Sequence, residues 1–173
     1  MNIPNILTVL RFVLIPFFGY YLYYQQYHLA VVIFLLGGLT DVLDGYIARR
    51  FNLITSWGKL ADPLADKLMQ MTALILLTVH QSIPLYILII VAAKEALMGL
   101  GSILLYKQDN YVVSSNWYGK TATVIFYLAI VMVLFKVPYS NMFITIAVLA
   151  TLFALIMYSR TYINVKKMAK GQQ

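Results

Sequence analysis

The sequence predicts an all-α integral membrane protein, a bundle of six transmembrane helices forming one domain over residues 1–173. Three observations lead there. Hydrophobic residues make up 62% of the chain and charged ones only 11%, where a soluble domain carries roughly 25% charged residues. Apolar runs of about 20 residues, the length a helix needs to cross a bilayer, recur with short connections between them. Basic residues, finally, collect at one set of run ends and avoid the other.

The expected spans are Ile6–Tyr24, Leu29–Ala48, Asp62–Thr78, Ile83–Tyr106, Trp117–Phe135 and Tyr139–Tyr158. The first opens on Asn2-Ile3-Pro4-Asn5, a helix start with Pro4 in the first turn and Asn5 or Thr8 as the cap. Arg11 falls one to two turns inside. It either snorkels to headgroups or meets a substrate phosphate. Tyr20, Tyr21, Tyr23, Tyr24 and Tyr27 form an interfacial aromatic belt at the far end of this span. Gly37-Gly38 in the second span are packing devices that let helices approach closely. His28 and His80 read as solvated turn residues. Lys94-Glu95 lies inside the fourth run, either paired with neighbouring groups or with Lys94 turned to a cavity that takes an anion. The fifth span opens on Ser114-Ser115-Asn116, followed by Lys120, Thr121 and Thr123. An amine and two hydroxyls at a helix start suit either headgroups or a phosphate. The tail bearing Lys166, Lys167 and Lys170 favours an anionic inner leaflet.

Arg49, Arg50, Lys59, Lys107, Lys120, Arg160 and the three tail lysines share one set of ends, whereas the other set has only Lys136. The positive-inside rule makes the first set cytoplasmic, with both termini inside and the protein multi-pass in the plasma membrane. The start of the chain lacks the basic segment and small-residue cleavage site of a secretory signal. No cysteine is present, which excludes disulfides and zinc–thiolate sites. The formal charge is +7, but no basic stripe with interleaved stacking aromatics accompanies it, so nucleic-acid binding is not expected.

Chemistry concentrates in one window. The chain has six acidic residues, and four of them, Asp41, Asp44, Asp62 and Asp66, fall between apolar runs at the cytoplasmic ends of spans two and three. A carboxylate beside hydrocarbon is costly unless paired or bound to a cation. Asp41 and Asp44 are spaced i,i+3, and Asp62 and Asp66 i,i+4, so each pair shares a helix face. Two faces bearing hard oxygen ligands suit Mg²⁺, Mn²⁺ or Ca²⁺. Two such ions can clamp a phosphoryl group and steady the attacking and leaving oxygens. Asp66, farthest along its helix, is the candidate base for an attacking hydroxyl. Gly45, beside Asp44, leaves room for a diphosphate. The residues therefore point to metal-dependent phosphoryl or phosphatidyl transfer at the inner leaflet. A divalent-cation transporter is the alternative, though transporters usually place such ligands at the bilayer midplane with repeat symmetry.

The run Asp41-Val-Leu-Asp44-Gly45-Tyr-Ile-Ala48-Arg49, eight residues, Gly58, three residues, Asp62, three residues, Asp66 resembles the complete signature of the CDP-alcohol phosphatidyltransferases. That resemblance covers essentially the whole chain and implies six spans with a cytoplasmic-side active site. It further implies two divalent metal ions, Mg²⁺ or Mn²⁺, held by Asp41, Asp44, Asp62 and Asp66, with Asp66 as catalytic base. Asp44, Gly45, Ala48, Arg49 and Gly58 would shape the site for the CDP donor. The donor would be CDP-diacylglycerol and the leaving group CMP. A homodimer among membrane lipids is implied as well.

The opening Asn2-Ile3-Pro4-Asn5, Leu7-Thr8 and Arg11, with the run from Gly58 to Leu68, resembles the phosphatidylglycerophosphate synthases, which makes sn-glycerol 3-phosphate the expected acceptor. Arg11, Lys94, Lys120 and Thr123 are the candidate acceptor contacts. Members using glycerol 3-phosphate usually carry an Arg-Glu pair in span four and a later arginine, where this chain has Lys94-Glu95 and, near Ser102, no cation. Their fifth span usually has a second lysine and a glutamine, where this chain has Ala122 and Phe126. Fewer cations leave phosphatidylglycerol, the acceptor of cardiolipin synthases, as the alternative.

Overall fold

The structure is a computed structural model that describes residues 2–109 and 117–170. Among them the chain is all-helical: α1 (Ile3–Tyr23), α2 (Tyr27–Arg50), α3 (Ser56–Val79), α4 (Leu85–Asp109), α5 (Trp117–Leu134) and α6 (Ser140–Lys170). Each expected span overlaps one helix. Ser114, Ser115 and Asn116 lie outside the described residues, as do the side chains of Lys59, Lys107, Lys120, Lys166, Lys167 and Lys170.

Among the described residues, α1, α2 and the Ser140–Met157 part of α6 are long and apolar enough to cross a membrane, and α5 has a shorter apolar stretch, Thr121–Leu134. The third helix begins at Ser56, well before the apolar run at Asp62. Its start is set by a cap: the Thr55 hydroxyl accepts the Gly58 amide at 2.9 Å, satisfying one of the amides a helix start leaves without a partner. The cap of α1 differs from expectation. Asn2 occupies it, with extended backbone, and Asn5 and Thr8 lie inside the helix. Both put their side chains to other use.

The helices fall into two compact units, residues 1–83 and 84–173. In the first, α1 packs against both α2 and α3, which touch each other less. Its buried residues are Pro4, Thr8, Arg11, Phe18 and Leu22, one stripe at helical spacing. One end of that stripe is apolar, where Phe18 meets Phe34 of α2 with ring centroids 5.4 Å apart. The other end is polar. The second helix repeats the gradient, burying Ala30, Val31 and Phe34 toward one end and Thr40 and Asp44 toward the other. Small residues bring α3 close: a Cβ on Gly37 would stand 2.7 Å from the Met69 methyl, so the expected packing role of this glycine is met. In the second unit, α6 packs on α5 and, less extensively, on α4. There Phe126, Ile130 and Val133 of α5 and Ile144, Ala147 and Val148 of α6 are buried.

The turns have a common construction. After α1, α3 and α5 a non-glycine residue takes a left-handed backbone: Gln25 (φ 57°), Gln81 (φ 55°) and Lys136 (φ 53°). In each turn the next amide reaches back to the helix, from Gln26 to Tyr21 O, Ser82 to Leu77 O and Val137 to Met132 O. These bonds satisfy carbonyls that the helix ends leave open. His80 lies in the second of these turns as expected, but half-buried, with Nδ1 3.4 Å from Gln25 Nε2.

Candidate active site

The polar end of the first unit is built from all three of its helices. Asp41 and Asp44 stand one turn apart near the end of α2, and Asp62 and Asp66 one turn apart near the start of α3. They act on one another: Asp41 feels the charges of Asp62 and Asp66, and Asp44 that of Asp62. The i,i+3 and i,i+4 spacings set each pair about one turn apart on its own helix.

The side chains that hold these carboxylates come largely from α1. Thr8, fully buried, donates its hydroxyl to Asp62 Oδ1 and lies 3.1 Å from the Pro4 carbonyl. Arg11 is also fully buried. Its Nη2 pairs with Asp44 Oδ2 at 2.6 Å, its Nη1 with Asp41 Oδ1 at 3.1 Å, and its Nε donates to Gly37 O at 3.3 Å. A snorkelling arginine would reach water. This one, expected to meet headgroups or the acceptor, is turned into the carboxylates instead. Asp44 is buried with it, whereas the Asp41 side chain is 43% exposed. Asp66 accepts from the buried Gln70 amide, one turn along α3, at 3.2 Å.

A second polar corner adjoins Asp62. Thr55 donates to Asn5 Oδ1 at 3.0 Å while its oxygen caps α3. Gly58 is buried in this corner, where a Cβ would meet Thr55 Oγ1 at 3.1 Å, Asn5 Oδ1 at 3.3 Å and Asp62 Oδ2 at 3.6 Å. Gly45 has an open face over which the Arg49 guanidinium lies, 3.4 Å from a would-be Cβ. Arg49 also acts electrostatically on Asp41. Ala48 is half-buried beside it.

The remaining candidates belong to the second unit. Lys94, buried on α4, pairs with Glu95 at 2.5 Å. Thr123 is half-buried on α5, and Lys120 lies on the same helix.

A divalent ion needs hard oxygen donors from facing elements, and the chain supplies four carboxylates in one electrostatic neighbourhood. In the conformation shown, no three of them converge on one point among the described residues, because Arg11 draws Asp41 and Asp44 while Thr8 and Gln70 hold Asp62 and Asp66. The donor chemistry fits. Thr8 and Gln70 were not singled out from sequence as partners of the carboxylates, nor Asn5 and Thr55 as partners of each other. Thr8 and Arg11 share the spacing of Asp41 and Asp44, and that common face was the available signal.

Three apolar helices of membrane-crossing length among the described residues suggest an integral membrane protein, and the first unit carries its cluster of acidic side chains. Residues 1–156 match the family model described as CDP-alcohol phosphatidyltransferase, and the chain belongs to that family. It is an enzyme of this class, and the matched residues run through both units. A CDP-diacylglycerol–glycerol-3-phosphate 3-phosphatidyltransferase of Haemophilus influenzae is 34% identical over 98% of this chain and 94% of its own length. One of Bacillus subtilis is 36% identical over 70% of each chain. A cardiolipin synthase (CMP-forming) of Streptomyces coelicolor is 33% identical over 71% of this chain and 60% of its own.

Proposed function

We propose that the protein transfers the phosphatidyl group of CDP-diacylglycerol to sn-glycerol 3-phosphate, giving phosphatidylglycerophosphate and CMP. The observation that carries this is the complete Asp41–Asp66 signature in a chain whose similarity to a phosphatidyltransferase of that name extends over 98% of its length. Six membrane spans follow from the six apolar runs, and the carboxylates' place at the cytoplasmic face from the bias of basic residues toward one set of helix ends. A homodimer in the plasma membrane rests on family resemblance.

Asp41, Asp44, Asp62 and Asp66 would hold two divalent ions, Mg²⁺ or Mn²⁺, which when bound supply positive charge to the diphosphate and the leaving oxygen. Gly45 and Gly58 would shape the site for the CDP part of the donor, and Arg49, which lies across Gly45, would meet its phosphates. Ala48 keeps the neighbouring face small. The acceptor hydroxyl oxygen attacks the phosphorus that bears the diacylglycerol. A new P–O bond forms there, the bond to the oxygen shared with CMP breaks, and CMP leaves with that electron pair. Asp66 takes the hydroxyl proton. Gln70, donating to Asp66, points the carboxylate. Lys94, Lys120 and Thr123 would meet the acceptor phosphate.

Phosphatidylglycerol is the second reading, and one observation favours it: Lys94, Ala122 and Phe126 stand where glycerol 3-phosphate enzymes of the family usually carry an arginine, a lysine and a glutamine. The purified chain with labelled CDP-diacylglycerol, Mg²⁺ or Mn²⁺, and each acceptor in turn separates the two by product. Phosphatidylglycerophosphate with CMP release, stopped by EDTA, is expected. Cardiolipin as the sole product would replace the assignment, and undiminished CMP release in EDTA would end the metal reading.

A further inference from the structure

Arg11 spends its charge in an unusual place. An arginine one to two turns inside a membrane helix can reach water with its long stem, yet this one has no exposed surface and ties α1 to two carboxylates of α2. Those are the same carboxylates that the reading above gives to divalent ions. Each already commits one oxygen to the guanidinium, Oδ1 of Asp41 and Oδ2 of Asp44. A guanidinium, as a rule, is not deprotonated in proteins. It can therefore stop neutralising Asp41 and Asp44 only by moving or by being outcompeted.

We propose that Arg11 is a built-in counter-cation that exchanges with the divalent ion: it neutralises Asp41 and Asp44 before loading, and gives up Asp41 when an ion binds. The proposal rests on the metal reading and deepens it. Burying a carboxylate without a partner is strongly unfavourable, and Arg11 is the cation that lies against Asp44, which is 2% exposed. With Arg11 in place the three helices assemble before any metal arrives. The two contacts are unequal, and their inequality sets the order of release. Asp44 is held at 2.6 Å out of water, while Asp41 is held at 3.1 Å with its side chain 43% exposed. Solvent screens the Asp41 pair and can hydrate the carboxylate as it turns. The Asp44 pair has neither help. Nε stays anchored on the Gly37 carbonyl, so the guanidinium needs only to pivot. Arg11 is thus a positioning residue, acting through the carboxylates rather than on substrate.

The test uses the full chain in detergent, with Mn²⁺ as the probe and with two readouts that are independent of turnover. Mn²⁺ affinity is followed by the electron paramagnetic resonance of the free ion, and melting temperature is followed in EDTA and in saturating Mn²⁺. Wild type should melt modestly higher in Mn²⁺ than in EDTA, since an ion held by the folded state stabilises it. Arg11→Gln should melt roughly 5 °C or more lower in EDTA, the scale expected when a buried pair loses its cation, and should recover most of that loss with Mn²⁺. It should also bind Mn²⁺ about tenfold more tightly, since nothing then competes for the two oxygens. An equal loss of melting temperature with and without Mn²⁺, at unchanged Mn²⁺ affinity, would make Arg11 a strut and overturn the proposal. Should Arg11→Gln fail to fold in either condition, Arg11→Lys decides. Its single ammonium keeps the charge but cannot fork across both carboxylates, so Mn²⁺ should bind more tightly than to wild type, and unchanged affinity overturns the exchange. No Mn²⁺ binding to wild type would remove the metal reading itself, a failure distinct from Mn²⁺ binding that ignores position 11.

Discussion

Thr8→Val isolates one hydroxyl. Valine has nearly the shape of threonine, so the substitution removes the donor to Asp62 with little change in packing against α3. A hydrogen bond to a charged group contributes about 1.5–3 kcal/mol. Asp62 is half-buried, so water replaces part of what is lost, and about 1 kcal/mol is the expected cost. For a chain of this size that corresponds to roughly 2–4 °C in melting temperature. The consequence for turnover is larger, because a carboxylate freed to rotate no longer presents a fixed oxygen. Loss of such a supporting hydrogen bond lowers kcat/KM by about tenfold or more, whereas Thr8→Ser, which keeps the hydroxyl, should retain most activity. The energetic claim is checked by a double-mutant cycle of Thr8→Val with Asp62→Ala, read by thermal melts. A coupling of about 1 kcal/mol is expected. Strict additivity, within about 0.3 kcal/mol, would refute the claim that α1 orients Asp62.

Asp66→Asn should abolish transfer, a loss of at least about 10²-fold for a general base, while CDP-diacylglycerol binding measured on the purified variant persists. Full activity would sink the base assignment. Gly58→Ala puts a methyl into a corner whose nearest atoms are hydrogen-bonded oxygens at 3.1 and 3.3 Å. It should cost about 1 kcal/mol, the value of the Thr55 cap it disturbs, and lower activity as well. Gln81→Gly should go the other way. Glycine relieves the left-handed strain at φ 55°, and after its larger unfolded-state entropy is counted the gain is about 0.5 kcal/mol, seen as a slightly higher melting temperature. A fall would show that the turn after α3 needs the glutamine side chain.

The helices were legible because their signal is local. Apolar run length placed a helix at each expected span, and the error at the start of α3 arose because a cap, not hydrophobicity, decides where a helix begins. The left-handed turns were not legible, since glutamine and lysine stand where glycine or asparagine is the usual sign. The candidate site divides the same way. The aspartate spacings and Gly45 were read directly from the chain, and Gly58 came with the family resemblance. The fate of Arg11 was not, because whether an arginine in an apolar helix reaches water or a carboxylate depends on which neighbour packs over its face.

By itself, then, the order of residues determined an all-helical membrane protein, a carboxylate quartet on two helix faces, and the family signature that joins them. Those are properties of spacing along one helix, which periodicity of about 3.6 residues converts into faces without reference to anything distant. Only tertiary packing decided that α1 would be the clasp, with Thr8 on Asp62 and Arg11 on Asp41 and Asp44. A buried charge takes whatever partner the fold brings within about 3 Å, and that partner lies some thirty to fifty residues away along the chain.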